Sequence, residues 1–330
     1  MTQNQCPQTI CTSLFLAMTA AAMMGATASH AAPYPEKNVS LVLPFSAAGA
    51  ADIGARLLAQ GLSEKLGQQF IVENRPGGAG NIAYSSVSRA MPDGYEVLIS
   101  YIANSACGHA MMSGLTWQPE DFEPVALFSA TPVVFVANTS VPANSMPEFI
   151  AYLKENPGKI NYGTWGVGSF VHIVTEAIMQ ANGTEMQSIP YSNTGDLLTD
   201  AMSGTIQFFA TGPSTILAQK DTKSFKLLGV TGKQRLAELP QVPTLIEQGL
   251  ADVEMQSWYG LHVPKGTPTE VIETLDKAVA DLANDSAFVA KAAASGIPMI
   301  HVGRSDFETR IKADTAVCGD VIKAANIVVE

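Results

Sequence analysis

Positive charge is scarce in this sequence. Its 330 residues include 19 Lys and Arg against 30 Asp and Glu, a formal net charge of -11. A chain so short of cations offers no basic stripe to nucleic acid and no patch for an anionic membrane surface. A small anion in a cleft remains open to it, because salt screens the overall field within about 10 Å and local dipoles then dominate. Cysteine is scarce too, with residues at 6, 11, 107 and 318 only, so no disulfide framework is implied. Histidine occurs at 30, 109, 172, 262 and 301, never as a pair at metal-ligand spacing, so no metal is expected. The pair Cys107-x-His109 reads as packing. Gly-Lys-[Ser/Thr], Gly-x-Ser-x-Gly and His-Glu-x-x-His are all missing, which removes the P-loop, the hydrolase elbow and the zinc-protease helix.

Charge is missing altogether from residues 1–32, which contain no Asp, Glu, Lys or Arg. The stretch "SLFLAMTAAAMMGATASHAA" is apolar and small. Its apolar part is shorter than the roughly 20 residues of a membrane span. Ser29-His30-Ala31 fits a small-x-small cleavage site, so residues 1–31 read as a signal peptide cut after Ala31. The n-region lacks its usual Lys or Arg, and a retained anchor helix is the alternative. Cleavage would remove Cys6 and Cys11. Cys107 and Cys318 then remain, either as one disulfide or as two buried thiols.

What the rest contains is alternation. Hydrophobic residues make up 47% of the chain and charged residues 15%, so it is globular, and its length allows two domains. "VSLVLPF", "QFIVEN" and "YEVLIS" read as strands. Between the first two, Ile53, Leu57, Leu58, Leu62 and Leu66 recur at helical spacing, and Gly67 ends the helix. After the long apolar run "FEPVALFSATPVVFVAN" the pattern restarts, with "INYGTWG", "MQSIPY", "TIQFFAT" and "FKLLGVTG" as strands. Such alternation predicts an α/β fold with mostly parallel sheets. No flexible linker separates the halves, so two lobes joined by crossing strands are expected.

The stretch "RPGGAGN" raises the question of a dinucleotide, since Gly78 to Ala83 satisfies G-x-G-x-x-[GA]. Arg75-Pro76 separates the strand from the first glycine, and the next strand ends "LISYIANS" with no acid for a ribose. A tight turn is the better reading. Two other loops suit an anion better. In "PFSAAGAAD" a strand ends, small residues bare the backbone and a helix begins near Asp52. In "YGTWGVGSFVH" Gly163, Gly166 and Gly168 do the same, and Ser169 can cap a helix. Each loop would aim unsatisfied N–H groups and a positive dipole end over the carboxyl edge of a sheet. The alternative is that both are ordinary strand-to-helix loops.

At these residues the sequence resembles the Bug (TctC-type) extracytoplasmic solute receptors of tripartite tricarboxylate transport systems. The resemblance spans residues 34–327. It rests on "YPEKNVSLVLPFSAAGAAD", "LSEKLGQQFIVENRPGGAGNIA", "PDGYEVLIS", "NPGKINYGTWGVGSFVH", "IPYSNTGDLLTDAMSG", "LPQVPTLIEQG" and "SWYGLHVPKGTP". It implies a two-lobed periplasmic binding protein of type II-like fold: lobe 1 from residues 32–131 and 255–330, lobe 2 from 132–254. It further implies a small organic carboxylate, aromatic or dicarboxylate among the options, held in the interlobe cleft. No catalysis and no cofactor are implied; the partners would be membrane subunits of the transporter, and the receptor a periplasmic monomer. A secreted α/β enzyme acting on a small carboxylate is the alternative.

Carried over by position, the first family loop falls on Ser46, Ala47, Ala48, Gly49, Ala50 and Asp52. The second falls on Thr164, Trp165, Gly166, Val167, Gly168 and Ser169, continuing to Phe170 and His172. Tyr191, Ser192 and Asn193 of "PYSN", with Ser257 and Trp258, would line the cleft. Asp52 reads as a helix cap that orders its loop, since its charge would repel a carboxylate. His172 reads either as a ligand contact or as a packed first-turn residue. The chain departs from the family where "PAGGxxD" becomes "SAAGAAD" and where Lys-Gly after "PY" becomes Ser192-Asn193. Trp165 and Phe170 stand where smaller residues are common. With Trp258 and Tyr259 they suggest an aromatic clamp for a flat ligand.

Overall fold

The apolar run of residues 122–138 is one stretch in sequence and two strands in space. In the computed structural model β4 (Phe122–Thr131) belongs to one sheet and β5 (Val134–Asn138) to another, with Pro132 and Val133 crossing between them. Thr2 and residues 34–219, 221–250 and 255–329 are described. The expected signal segment, its cleavage site, Cys6, Cys11 and His30 lie outside them, as does residue 254, the expected end of lobe 2. Residues 37–330 form one body, and the architecture that follows is theirs.

The first sheet has the order β11-β4-β10-β3-β1-β2. It comprises β1 (Val39–Leu43), β2 (Phe70–Asn74), β3 (Glu96–Tyr101), β4, β10 (Ser257–Pro264) and β11 (Met299–Gly303). The second has the order β7-β6-β8-β5-β9. It comprises β5, β6 (Asn161–Thr164), β7 (Gln187–Pro190), β8 (Phe208–Thr211) and β9 (Phe225–Val230). The α/β reading holds, and the sheets within it are mixed. β1 pairs parallel with β2 and β3, and β6 with β7 and β8. β10 runs antiparallel to β3 and β4, and β5 to β8 and β9. Strands fed by a helical crossover must run parallel, whereas the long strands that pass between sheets or return to the first sheet come back antiparallel.

The helix Ala50–Leu66 buries Leu57, Leu58 and Leu62 against the sheet and ends at Gly67, whose φ of 72° carries its N–H back to Ser63 O. Ile53, expected on the same face, is 49% exposed beside the first loop. The helix Met146–Glu155 starts on Ser145, whose hydroxyl accepts from Glu148 N–H. The crossing strands are tied to each other. Val133 N–H donates to the buried Thr231 Oγ1 at 2.8 Å, and Thr231 N–H to Val133 O at 2.9 Å.

One apolar cluster holds residues of both halves, including Phe135, Phe149 and Phe170 with Ile102, Trp258 and Phe307. The helix Arg304–Ala324 packs on β4 and on the helix Phe170–Asn182. Cys107 and Cys318 are bonded, with Cα atoms 5.1 Å apart, which fastens that helix to the segment after β3. His109 lies against Trp117, its Nε2 3.1 Å from Trp117 O, so the Cys107-x-His109 pair is structural.

Candidate functional site

The strand ends decide where a ligand could sit. β10 pairs Ser257 with Thr131 and Tyr259 with Tyr101, so the carboxyl ends of β3 and β4 share one edge of the first sheet. In the second sheet Val134 faces both Thr211 and Val230, so β8 and β9 end where the chain enters. Two residues, Pro132 and Val133, separate Thr131 from Val134, and these three Cα steps bridge about 10 Å at most. The two carboxyl edges therefore oppose each other across the crossing segments.

The first loop leaves β1 on this edge. Ser46, Ala47, Ala48 and Gly49 are exposed, and Gly49 is the N-cap of the helix. Ala48 has φ 68°, a left-handed conformation uncommon for a residue with a Cβ. Asp52 holds it there. Its buried carboxylate accepts from Ala48 N–H at 3.0 Å, Arg56 Nε at 2.9 Å and Asn74 Nδ2 at 2.9 Å. Asn74 Nδ2 also donates to Phe45 O at 3.1 Å. The Arg56 hydrogen bond, followed by those from Asn74 and Ala48, outweighs burial and lowers the Asp52 pKa to about 2. Asp52 is thus an ionised clamp with its acceptors occupied. The first-turn amides of Gly49, Ala50 and Ala51 have no intrahelical acceptor and open on the loop.

The second loop leaves β6. Gly166 and Gly168 have φ of 95° and 76°. Thr164 is buried, and its hydroxyl accepts from Gly166 N–H at 3.1 Å. Gly168 N–H donates to His172 Nδ1 at 3.1 Å, so that nitrogen is the bare one and the ring proton sits on Nε2. Nε2 lies 3.8 Å from Glu176 Oε1, which accepts from the Tyr162 hydroxyl. Burial lowers the His172 pKa and raises that of Glu176. His172 is therefore a neutral strut under the loop, and the packed reading of this residue is the one the geometry favours. Phe170 is buried in the core. Val167 is exposed, and Ser169 Oγ is enclosed with no hydrogen-bond partner.

Of the turn after β7, Tyr191 donates its hydroxyl to Asp200 Oδ2 at 2.7 Å, and burial with that partner raises its pKa to about 12. Asn193 caps the helix Thr194–Ser203 by accepting from Asp196 N–H at 2.9 Å. Ser192 between them is exposed. Trp165 Nε1 donates to Thr194 Oγ1 at 3.3 Å, which draws the second loop onto this turn.

Trp258 requires a correction. It is fully buried, donates Nε1 to Asp314 Oδ2 at 2.7 Å and packs edge-on to Phe307 at 5.1 Å. Successive strand residues face opposite sides, so its neighbours Ser257 and Tyr259 take the loop side. Tyr259 lies 5.1 Å from Tyr101 and 6.4 Å from Phe45, and Phe45 lies 5.6 Å from Tyr101, centroid to centroid. Trp258 and Phe170 are thus core residues, not the cleft rings the sequence suggested. The exposed or half-buried rings at this edge are Trp165, Tyr259, Phe45, two residues past β1, and Tyr101, the last residue of β3. Sequence reasoning also missed Thr211, the last residue of β8, whose buried Oγ1 has no partner. A polar residue ending a strand at the carboxyl edge was the available signal for it.

The family described as tripartite tricarboxylate transporter family receptor matches residues 54–327. The chain belongs to this TctC family. A UPF0065 protein of Bordetella pertussis is 32% identical over 271 residues, covering 82% of this chain and 84% of the relative. BugT of the same organism is 30% identical over 278 residues, covering 82% and 85%. Among solved structures, a TctC solute-binding protein from Polaromonas superposes with a TM-score of 0.79 at 26% identity, over 88% of this chain and 99% of that one. The R. palustris protein Rpa4515, solved with adipate, gives 0.73 at 30% identity, over 89% and 99%. The TctC fold is that of two-lobed periplasmic solute-binding receptors. In this TctC chain "RPGGAGN" is no nucleotide cradle. Gly77, Gly78, Ala79 and Gly80 all have positive φ, and Asn104 Nδ2 donates to Ala79 O. A Cβ on Gly80 would stand 2.7 Å from Asn104 Nδ2 and 3.4 Å from Pro44 Cβ, so the turn is packed against the base of the first loop.

Proposed function

We propose that this TctC-family chain is an exported receptor that closes on a small organic carboxylate between its two carboxyl edges. It then presents the bound molecule to the membrane subunits of a tripartite transporter. The lobes are residues 32–131 with 255–330, and 132–254, after removal of 1–31; the receptor works as a periplasmic monomer. One observation carries the reading. Two loops with unsatisfied first-turn amides oppose each other, and beside the second loop two enclosed hydroxyls, Ser169 Oγ and Thr211 Oγ1, have no partner. A buried hydroxyl without a partner is unfavourable by about 1–3 kcal/mol, so a ligand oxygen or its bridging water belongs there. The Asp52 clamp keeps its own charge away from that space. The Cys107–Cys318 disulfide suits an oxidising compartment.

The rings of Phe45, Tyr101, Tyr259 and Trp165 give the carboxylate's body an apolar, partly aromatic seat. Aryl carboxylates and medium-chain dicarboxylates fit it best, and adipate is bound by the related R. palustris protein. A thermal-shift screen of mono-, di- and aromatic carboxylates, followed by calorimetric titration, tests this. Binding with recovery of unchanged ligand supports the receptor. No carboxylate binding, or conversion of the ligand, defeats it.

A further inference from the structure

Two cavities lie away from the candidate site and meet at one arginine. The first, of about 510 Å³, runs between the helix Arg304–Ala324 and the first sheet. Its walls are mostly apolar: Trp258, Ile300, Val302, Ala313 and Val317. The second, of about 460 Å³, lies by the crossing segments and is lined by Pro132, Arg235 and Leu236 among others, with no acidic side chain. Lys233, Gln256 and Arg310 line both. Three cations, Lys233, Arg235 and Arg310, line the two cavities, and the acids Asp306 and Asp314 line the first. Both volumes are within the range of small-molecule sites.

The charges at the junction are unequally matched. Arg310 Nε donates to Asp314 Oδ2 at 2.9 Å, and the same oxygen accepts from Trp258 Nε1. Arg310 Nη2 is enclosed and has no hydrogen-bond partner. A guanidinium nitrogen shut away without an acceptor is unfavourable, so the site lacks an anionic or polar oxygen. Arg235 is taken by Glu247 at 2.8 Å. Lys233 is exposed and has no acidic partner among the described residues. Asp306, the remaining acid here, stands at the exposed mouth of the apolar cavity.

We propose that this junction is a second binding site, for a small amphipathic organic anion. A carboxylate or phosphonate head is held by Arg310, Lys233 and Gln256, and a short apolar tail lies between Ile300, Val302 and Val317. The site shares no residue with the two cleft loops, and its ligand differs in kind: the head is gripped by side-chain cations rather than by backbone amides.

The test titrates octanoate calorimetrically into the Gly49→Trp variant, in which the cleft loop is blocked. A Cβ at Gly49 meets nothing closer than Ser46 O at 3.9 Å, so the backbone there has room for a side chain, and a melt checks that the variant is folded. One binding event is expected, weakened about tenfold by Arg310→Gln and by Ala313→Trp, which fills the apolar cavity. Arg310→Gln also releases Asp314, so exposed Lys233→Ala is the check that leaves folding untouched, with about threefold weaker binding expected. Octylphosphonate should compete and octanol should not. No octanoate binding in Gly49→Trp, octanol binding as tightly as octanoate, or Ala313→Trp without effect would each overturn the proposal. Octanoate binding lost on Gly49→Trp alone would place it in the cleft, defeating this site while leaving the receptor reading intact.

Discussion

The two glycine-bearing loops do the same geometric task by opposite electrostatics. In the first half an ionised acid, Asp52, is buried at the start of a helix and gathers Ala48, Arg56 and Asn74 around its charge. In the second half a neutral base, His172, sits at the same place in its helix and accepts one amide, from Gly168. The first clamp is strong because each of its hydrogen bonds carries charge. The second works only while His172 stays uncharged, since protonation removes its acceptor. The two loops thus differ in what can release them. The first needs its carboxylate ionised; the second needs its imidazole neutral.

The largest effect expected from breaking this pair is Asp52→Ala. It leaves the Ala48 amide without its acceptor, takes one of the two acceptors of Asn74 Nδ2 and removes the ion pair with Arg56. About 3 kcal/mol of stability should be lost, together with most carboxylate affinity, read by denaturant melts and titration. A loss under 1 kcal/mol would show that the loop does not depend on its clamp. Next comes Gly49→Trp, which should weaken carboxylate binding about a hundredfold by filling the space before the first-turn amides. Its melting temperature should stay near wild type. The turn variant Gly78→Ala is the contrast: about 1 kcal/mol of stability is lost at a φ of 55°, with affinity unchanged. If Gly78→Ala lost the ligand and Gly49→Trp kept it, the binding loop would be the glycine-rich one.

The pH dependence separates the halves by a smaller amount. Burial lowers the folded pKa of His172 below the unfolded value of about 6.5. The unfolded chain then binds more protons, so this contribution is present above about pH 6.5 and is lost as pH falls toward the folded value. Asp52, lowered to about 2, keeps its contribution until pH falls below about 4. Between pH 7.5 and 5.5 only the His172 contribution to stability should fall, read by melts at the two pH values. Glu176 shifts the other way, because burial raises its pKa. His172→Gln offers a pH-independent acceptor and isolates the histidine. Its stability should lose that part of the pH dependence; a fall equal to wild type would show that His172 is not its source.

The two halves were not equally legible in sequence. Strand–helix alternation and small-residue loops located both carboxyl edges, because β-branched runs ending in glycine or alanine leave the chain few other choices. Asp52 was readable as a clamp, since an acid in the first turn of a helix near an anion site has one compatible task. The orientation of "SWYGLHVP" was not. Of these eight residues, six are buried, so alternation marks two faces without saying which meets the cleft. Only the long return that pairs β10 with both β3 and β4 turns Tyr259 outward and Trp258 under the last helix. The Cys107–Cys318 bond joins residues 211 apart, and no local pattern encodes that separation. The Arg310 junction depends on the same distant packing.

The smallest expected effect asks whether the first clamp stores strain that the second avoids. Gly166 and Gly168 take positive φ at no steric cost, while Ala48 takes φ 68° with a Cβ. A left-handed alanine is disfavoured by about 1–2 kcal/mol, and the Ala48–Asp52 hydrogen bond offsets part of that. Glycine would relieve the strain but add about 0.5–1 kcal/mol of chain entropy to lose on folding. Ala48→Gly should therefore stabilise by about 0.5 kcal/mol, with carboxylate affinity within about twofold, since Asp52 still sets the amide directions. Gly166→Ala, where a Cβ would meet nothing within 4 Å, is the mirror experiment. It should destabilise by about 1 kcal/mol through backbone conformation alone. Paired melts of the two variants compare the loops directly. Opposite signs mean that one loop holds strain through a charged clamp and the other is relaxed by glycine. If Ala48→Gly destabilises as much as Gly166→Ala, Ala48 is not strained, and Asp52 serves only to bind and not to bend the loop.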